Sequence, residues 1–343
     1  MYRSFLHLLA CTSCGNCDLE LLIPGEKVSE TSLQLAEDGL LICSRCERWY
    51  AIDDGIVRML PDSLRVRAAD EAFIDKQRDL FGSNLCERLS AMSAAISYSD
   101  GANQLLSHFE VPIEAKDRTR NLNHRLKFEQ ILRGIGEIGT GNCLELACGN
   151  GTHASSLREA YANIGYVGID IAPIRLQETR QRIGSREDVL LVQATLDVLP
   201  FRNDAFSAVY TVSALQYLED PEVGLSEARR VLKENGSFTS LDYNPRCYAS
   251  AFRVMREKQK KDMQIDEKLY EKMSRKNLGK WMSGSGFSNV RVSNFLFLPG
   301  NMPLPLFAYK IINGFLQRIP FIRDFSIMHM TYAKKLDSGA RST

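Results

Sequence analysis

The chain has 343 residues, of which 44% are hydrophobic and 25% are charged, and its formal net charge is +1. This length and apolar content are enough for about two domains with buried cores, and the balanced charge excludes a bulk polyelectrolyte as partner of the whole chain. The composition and the absence of a signal peptide or an apolar run of membrane-spanning length predict a soluble, cytoplasmic protein.

Two C-x-x-C pairs near the start of the sequence predict a metal site. Cys11 and Cys14 form the first pair, and Cys43 and Cys46 form the second. Four thiolates complete the tetrahedral shell of a structural zinc ion, which leaves no ligand position open for chemistry. Cys17 leaves the choice of ligands open, because it offers a substitute for Cys11 or Cys14. A redox dithiol and disulfides are the alternative interpretations.

Residues 41–60 read LICSRCERWYAIDDGIVRML. They resemble the closing segment of the Trm-type methyltransferase-activator zinc domain, with Ala51 and Val57 in place of two usual prolines. The resemblance covers 1–61 and implies a small zinc-ribbon-like domain that packs against a catalytic partner. Residues 1–62 hold five basic and ten acidic side chains. Because phosphate contacts need basic side chains, the predicted role of this domain is that of a scaffold rather than of an RNA-binding surface.

The next segment, 62–119, is mostly polar. Helix-favouring composition at 68–81 and small apolar residues at 85–97 predict helices in this linker.

Residues 141–170 contain the pattern typical of a nucleotide site. An apolar strand leads into a turn of small residues, a helix is predicted from about Thr152, and a second strand ends at Asp170. Such a turn lets the backbone approach a ligand, the helix N-terminus offers free N–H groups, and an acid about 20 residues further on accepts ribose hydroxyls. Glu145 in the first strand would repel a pyrophosphate and instead suits a ligand with an amino group.

The row from Glu145 to Gly151, ELACGNG, resembles motif I of class I S-adenosylmethionine (SAM) methyltransferases, with Ala147 in place of the usual first glycine. The downstream course of strands and helices resembles the UbiE-like and type 11-like members. It predicts strands at 189–194, from 204 and at 237–243, and a helix at 220–235 that ends on Gly236.

This resemblance covers about 120–343 and implies an α/β, Rossmann-like class I methyltransferase fold, with a mostly parallel seven-stranded sheet and helices on both faces. Segment 62–119 is then expected to act as a linker or lid over the SAM site. Towards the end of the chain, the predicted elements are a helix at 278–287 and strands at 289–297 and 328–333.

The implied cofactors are SAM and a structural zinc ion. The SAM-binding residues implied by the resemblance are Glu145, Ala147, Cys148, Gly149, Gly151, Asp170, Ile171, Thr195, Leu196 and Thr211. Three departures from the family pattern stand out. Thr195 replaces the acid that meets the adenine amino group, Ser207 replaces an aspartate, and Gln216-Tyr217 replaces a pair of histidines. Tyr217 and His124 are the candidates for a general base.

Two later segments leave their roles open. The insertion at 246–280 carries eleven basic and five acidic side chains, which suits either solvated helices or contact with an acidic substrate or membrane surface. The apolar segment at 303–323 also holds Lys310, Arg318 and Arg323. It suits a substrate mouth, a helix at a membrane interface, or a cover for the sheet.

The sequence therefore predicts a SAM-dependent methyltransferase acting on a small-molecule or lipid-like acceptor. The alternatives are an RNA or protein methyltransferase that uses the zinc domain and the basic insertion for recognition, and a non-catalytic scaffold. Peripheral membrane contact, the acceptor atom and the oligomeric state are left open. The predicted domains are 1–61, a linker at 62–119, and 120–343.

Overall fold

The computed structural model describes residues 1–24, 36–99, 101–107, 122–136, 141–161, 163–247, 272–300 and 302–336. The chain forms two compact units. One consists of Met1–Glu114 and Gly139–Ala205, and the other of Ala115–Ile138 and Phe206–Thr343. This division groups residues by packing, so the domain boundaries drawn from motifs at residues 61 and 119 stay predictions. Most of the predicted insertion, at 248–271, lies outside the described residues.

The first unit holds seven strands in the order β1-β2-β3-β4-β7-β6-β5. They are β1 (Leu19–Leu22), β2 (Gly39–Cys43), β3 (Trp49–Asp53), β4 (Ile56–Arg58), β5 (Gly141–Leu146), β6 (Ile164–Asp170) and β7 (Val189–Gln193). Strands β1 to β4 pair antiparallel, and β4, β7, β6 and β5 pair in parallel. Ile56 lies opposite Leu191 and Val57 opposite Val192, so the sheet of the N-terminal domain continues into the parallel sheet.

The helices of the first unit are α1 (Arg67–Lys76), α2 (Arg78–Phe81), α3 (Ser83–Ser93), α4 (Ala102–Ser107), α6 (Thr152–Ala160) and α7 (Pro173–Ile183), with 3₁₀ turns at Arg3–Leu8 and Asp62–Leu64. Helices α1 and α3 pack on β2 and β3 around Trp49, which is fully buried. The Trp49 indole N–H donates to Ser93 Oγ at 3.0 Å, and the Arg65 guanidinium lies 4.7 Å from the indole ring. The linker helices thus complete the core of the N-terminal domain; a lid role stays a prediction.

The residues before the first cysteine pair are tied to the parallel part of this unit. Ala10 N–H donates to Pro200 O at 3.0 Å, and Arg202 N–H donates to Leu8 O at 2.9 Å. Leu9, fully buried, pairs with Phe201 in an antiparallel bridge. The N-terminal domain therefore contacts the segment that follows β7 through main-chain hydrogen bonds.

The second unit holds four strands in the order β8-β9-β11-β10. The strands are β8 (Phe206–Val212), β9 (Leu232–Tyr243), β10 (Ser288–Phe295) and β11 (Met328–Lys334). The helices of this unit are α5 (Leu122–Ile135), α8 (Pro221–Val231), α9 (Arg275–Gly284) and α10 (Leu306–Leu316). The unit also has 3₁₀ turns at Leu215–Tyr217 and Ile322–Phe325. Strands β8 and β9 run parallel, whereas β11 runs antiparallel to both of its neighbours. Parallel β5 to β7 in the first unit, and parallel β8 and β9 followed by antiparallel β11 and β10 in the second, confirm the predicted Rossmann-like class I methyltransferase fold. Among the described helices, none has the length and apolar character needed to cross a bilayer.

Several predicted boundaries are wrong: the helix predicted at 278–287 is Arg275–Gly284, and the strand predicted at 289–297 is Ser288–Phe295. The largest difference lies after β8. The helix expected over 220–235 begins as predicted, with the Asp220 side chain accepting from Glu222 N–H, but it ends at Val231. Strand β9 starts at Leu232, which pairs with Phe206, before the register shifts. Gly236 therefore does not cap a helix. It lies in the irregular start of the strand, where a Cβ would come within 2.8 Å of Lys233 O.

Candidate functional site

The structure brings the four predicted cysteine ligands together. The Sγ atoms of Cys11, Cys14, Cys43 and Cys46 all lie within 4.8 Å of one another. Cys11 Sγ is 3.5 Å from Cys46 Sγ, and Cys14 Sγ is 3.6 Å from Cys43 Sγ. Four thiolates at about 2.3 Å from a zinc ion in a tetrahedron are about 3.8 Å apart, so this arrangement fits zinc. Cys17 is not part of this group, and its thiol instead lies 3.6 Å from Gly15 O.

Hydrogen-bond donors surround these sulfur atoms. Tyr50 OH lies 3.1 Å from Cys11 Sγ, and Asn16 Nδ2 donates to Cys43 Sγ at 3.6 Å. Burial raises the pKa of the Tyr50 phenol, which therefore keeps its proton for donation. Burial is the largest single influence on Cys43 and opposes its ionisation, but the backbone N–H groups of Cys46 and Arg45 and the side chains of Asn16 and Cys14 together lower the Cys43 pKa to about 7. Such donors stabilise thiolates, the form that binds metal.

The loop between β5 and α6 has the geometry of a nucleotide-binding turn. Ala147, Gly149 and Gly151 all have positive φ, at 54°, 57° and 70°. An L-residue pays about 1 kcal/mol for this conformation, which explains why glycine is usual at the position of Ala147. A Cβ built on Gly149 meets nothing within 4 Å. Helix α6 begins after Gly151, which has no side chain that could cap it, and a helix N-terminus of this kind can bind a polar ligand group.

Asp170 ends β6 beside this loop. Its Oδ2 accepts from Gly149 N–H at 2.9 Å, and its Oδ1 accepts from Ala172 N–H at 3.0 Å. Burial raises the pKa of this carboxyl above its usual value, and the two backbone donors partly offset that rise. These two hydrogen bonds fix the orientation of the carboxylate against the turn. A fixed carboxylate at this position is what a nucleotide site uses to accept ribose hydroxyls.

Glu145, 1% exposed, has two partners that the sequence reasoning missed. Tyr166 OH donates to Glu145 Oε2 at 2.6 Å, and His153 Nδ1 lies 3.5 Å from Glu145 Oε1. Tyr166 lies on β6 opposite Cys143, and His153 lies in the first turn of α6. Parallel strand register could have indicated Tyr166 as a neighbour on the same face as Glu145.

Helix α7 also holds the turn in place. Thr179 Oγ1 on α7 donates to Gly149 O at 2.7 Å. A Cβ on Gly151 would lie 2.8 Å from Thr179 Cγ2 and 3.1 Å from Thr179 Cα. Gly151 is therefore required for close packing of the turn as well as for its backbone conformation. Cys148, 5% exposed, donates its N–H to Ile169 O at 2.8 Å, and its Sγ lies 4.0 Å from Thr179 Oγ1.

The other predicted SAM residues lie at strand ends or inside strands. Ile171 follows Asp170, and its carbonyl accepts from Gln193 Nε2 at 3.0 Å. Thr195 and Leu196 follow β7 and are buried, with Thr195 Oγ1 accepting from Asp197 N–H at 3.0 Å. This bond gives Thr195 a local turn-forming role. The remaining residue, Thr211, belongs to the second unit and is fully buried within β8.

The two candidate bases differ in exposure. Tyr217 ends the 3₁₀ turn after β8 and is 52% exposed. His124 lies in the first turn of α5 and is 8% exposed. Both belong to the second unit, and each stays a candidate only.

Asp242 is a fully buried carboxyl on β9 that the sequence reasoning did not single out. Ser240 Oγ donates to its Oδ2 at 2.7 Å, and the backbone of Leu215 also bonds to it. It thereby holds the turn that carries Tyr217. Burial raises the Asp242 pKa from 3.8 to about 7. His329 on β11 lies opposite Asp242, and burial lowers the pKa of its imidazole to about 4. His329 is therefore neutral over most of the pH range from 3.8 to about 7.

The raised pKa of Asp242 predicts a pH-dependent stability. Between pH 3.8 and about 7 the unfolded chain has lost this proton while the folded chain keeps it, so stability falls as pH rises. The slope approaches about 1.4 kcal/mol per pH unit. Asp242→Asn should remove this contribution. The free energy of unfolding of the variant, relative to that of the parent, should therefore be higher at pH 8 than at pH 5. Urea unfolding of both proteins across this range measures it, and identical slopes would contradict the assignment.

Comparisons with known proteins agree with this geometry. Residues 144–240 match the family described as a methyltransferase domain, and residues 3–55 match the family described as a Trm112p-like protein. A demethylmenaquinone methyltransferase of Clavibacter sepedonicus is 26% identical in an alignment of 222 residues that covers 59% of this chain and 89% of that protein. A second, from Staphylococcus aureus strain JH9, is 26% identical in an alignment of 199 residues that covers 52% of this chain and 83% of that protein.

Among solved structures, a complex between the Haloferax volcanii Trm112 methyltransferase activator and a methyltransferase has a TM-score of 0.46 at 19% identity. The match covers 69% of this chain and 97% of that chain.

Proposed function

Because the chain combines a methyltransferase domain with a Trm112p-like domain, we propose that it is a SAM-dependent methyltransferase with a small-molecule or lipid-like acceptor. The observation that carries the proposal is the Asp170 carboxylate, bonded to Gly149 N–H and Ala172 N–H beside an open glycine turn. SAM, when bound, supplies a methyl group already activated on a sulfonium, so the protein chiefly has to orient the acceptor.

Each part of the turn has a separate role in this proposal. Asp170 accepts the two ribose hydroxyls, and the N-terminus of α6, which follows Gly151, lies beside the ligand. Glu145 provides negative charge for the amino group at the methionine end, and Tyr166 and His153 hold its carboxylate in place. Ile171, Thr195 and Leu196 surround the adenine, which leaves hydrogen bonding there to backbone groups and the Thr195 hydroxyl.

The acceptor class follows from two further observations. The similar curated proteins are named demethylmenaquinone methyltransferases, whose name describes a small-molecule acceptor. In addition, the second unit contains a cavity of about 650 Å³ whose lining is apolar, with Phe297, Met302, Leu316 and Ile322 among its residues. Such a lining favours a hydrocarbon ligand. If the acceptor atom is a hydroxyl, Tyr217 and His124 are the candidates to take its proton.

The Trm112p-like domain supports RNA or protein as the second candidate acceptor class. Against RNA, residues 1–62 hold ten acidic and five basic side chains, and four zinc-bound thiolates would add further negative charge. We propose a structural role for the zinc ion, because its four ligands come from this chain and form a closed shell. A scaffold without catalysis is disfavoured by the complete turn and by Asp170.

A labelling experiment tests the acceptor class. Purified protein and methyl-labelled SAM are added to an extract of the source cells, and the label is separated into solvent-extractable, RNA and protein fractions. We expect the label in the solvent-extractable fraction with the parent protein and in no fraction with Asp170→Ala. Label in RNA or protein would replace the proposed acceptor. No transfer by a parent protein that binds S-adenosylhomocysteine would contradict the proposed acceptor class while leaving the SAM site intact.

A further inference from the structure

Helix α10 has the reverse of the usual amphipathic arrangement. Its buried residues are polar: Tyr309 is fully buried and Asn313 is 8% exposed. Tyr309 OH donates to Leu298 O at 2.5 Å, and Asn313 Oδ1 accepts from Phe297 N–H at 2.6 Å. These bonds fix the helix on the second unit through its polar side. A soluble helix normally turns its apolar side to the core.

Four of the six leucine, isoleucine and phenylalanine residues of α10 are exposed, whereas Leu306 and Leu316 are half-buried. Phe307, Ile311 and Phe315, spaced four residues apart, are 68%, 67% and 61% exposed. The following turn adds Phe321, which is 84% exposed and has a positive φ of 71°, an uncommon conformation for an aromatic residue. Of the ten exposed large hydrophobic residues in the described parts of the chain, seven lie between 307 and 325. Scattered exposure is ordinary, but this concentration marks an interaction surface.

Basic side chains accompany this surface. Segment 302–325 contains Lys310, Arg318 and Arg323 and a single acid, Asp324. Lys310 forms an ion pair with Glu129 at 2.7 Å, and Arg323 lies 3.9 Å from Asp324. Arg318 is exposed and forms no ion pair with any residue in the described ranges. With Glu129 counted, three cations stand against two acids, and Arg318 provides the remaining positive charge. Large apolar side chains beside this excess of one cation complement the interface of an anionic bilayer.

We propose that α10 and the turn up to Phe325 form a membrane-docking surface that binds anionic phospholipid bilayers. Eleven residues span about 16 Å, which is too short to cross a bilayer core of about 30 Å, and the outward apolar side chains place the helix in the plane of the interface. The surface also continues into the apolar cavity of about 650 Å³, because Ile322 and Phe325 are exposed and line that cavity as well. The docking surface does not depend on the proposed methyl transfer, since none of its residues belongs to the SAM turn.

Flotation with vesicles tests the proposal on the full-length chain. The parent protein should float with phosphatidylcholine vesicles that contain phosphatidylglycerol, and more weakly with phosphatidylcholine alone. Ile311→Glu with Phe315→Glu should lower vesicle affinity by at least about a hundredfold, because each buried side chain contributes about tenfold or more. Arg318→Gln with Arg323→Gln should remove the preference for anionic vesicles and reduce the salt dependence.

Matched variants separate docking from folding. Leu80 is 56% exposed on α2, away from this segment in the sequence, so Leu80→Glu should leave flotation unchanged. Ile311→Leu with Phe315→Leu keeps apolar area and should retain binding. All variants should bind S-adenosylhomocysteine like the parent. No flotation of the parent, or full flotation of the double glutamate variant, would overturn the proposal. A parent dimer in light scattering that the double glutamate variant loses, without vesicle binding, would assign the surface to a second copy instead.

Discussion

Replacing Asp170 with alanine should weaken SAM binding by at least about a hundredfold. A charged hydrogen bond contributes about 1.5–3 kcal/mol, and the proposed site uses this carboxylate for two ribose hydroxyls. The substitution also leaves Gly149 N–H and Ala172 N–H without their acceptor, so the turn should loosen as well. Titration calorimetry with S-adenosylhomocysteine measures the affinity, and circular dichroism with thermal melting shows whether the protein is still folded.

Three further variants make this result specific. Asp188 is another carboxylate of the same unit, paired with Arg158 at 2.6 Å, and Asp188→Ala should leave the affinity unchanged. Asp170→Asn keeps one acceptor for the backbone donors and should be better folded than Asp170→Ala, yet still bind weakly. Gly149→Arg fills the open space beside the turn and should also abolish binding. Parent-like affinity in both Asp170→Ala and Gly149→Arg would contradict the site.

The motif turn could be predicted because its function depends on local chemistry. Small residues at 147, 149 and 151 followed by Asp170 indicate a ligand-binding turn, and the positive φ values at all three small residues agree with this prediction. The partners of Glu145 were missed because Tyr166 and His153 reach it through strand register and the path of the next helix. Neither of these relations is visible as a motif.

Other misjudgements arose where tertiary pairing outweighs local signals. The sequence around Asn235 and Gly236 has the usual stop signal of a helix, but Leu232 already pairs with Phe206 on β8. The apolar residues of 303–323 gave three interpretations, because periodicity shows that a helix is amphipathic without showing which side faces the protein. Buried Tyr309 and Asn313 provide that direction.

Loss of any one of the four clustered cysteines should remove zinc and unfold the N-terminal domain. Structural zinc contributes about 10–16 kcal/mol to small metal-binding domains at neutral pH, which exceeds the stability of most domains. Cys14→Ser and Cys46→Ser should therefore contain no zinc and be cleaved rapidly by protease within residues 1–61. Elemental analysis and limited proteolysis measure both effects.

Cys17→Ser is the matched control. Cys17 lies near the cluster in sequence, but its thiol contacts Gly15 O instead of the other sulfur atoms. This variant should keep one zinc ion per chain and the proteolysis pattern of the parent. Loss of zinc from Cys17→Ser, or parent-like proteolysis of zinc-free Cys46→Ser, would contradict the assigned ligand set.

Zinc loss should also weaken SAM binding, because the two sites share a segment. Ala10, next to Cys11, donates its N–H to Pro200 O, and Arg202 Nη2 donates to Cys17 O at 2.8 Å. Pro200 closes the segment that begins with Thr195 and Leu196 at the proposed adenine site.

When the cysteine pairs unfold, the hydrogen bonds to Pro200 and from Arg202 are lost. The segment must then be ordered when the ligand binds, at a cost of about 1–2 kcal/mol for each residue fixed. We therefore expect Cys46→Ser to bind S-adenosylhomocysteine at least about tenfold more weakly than Cys17→Ser. Equal affinities in calorimetry would show that the zinc domain stabilises only itself.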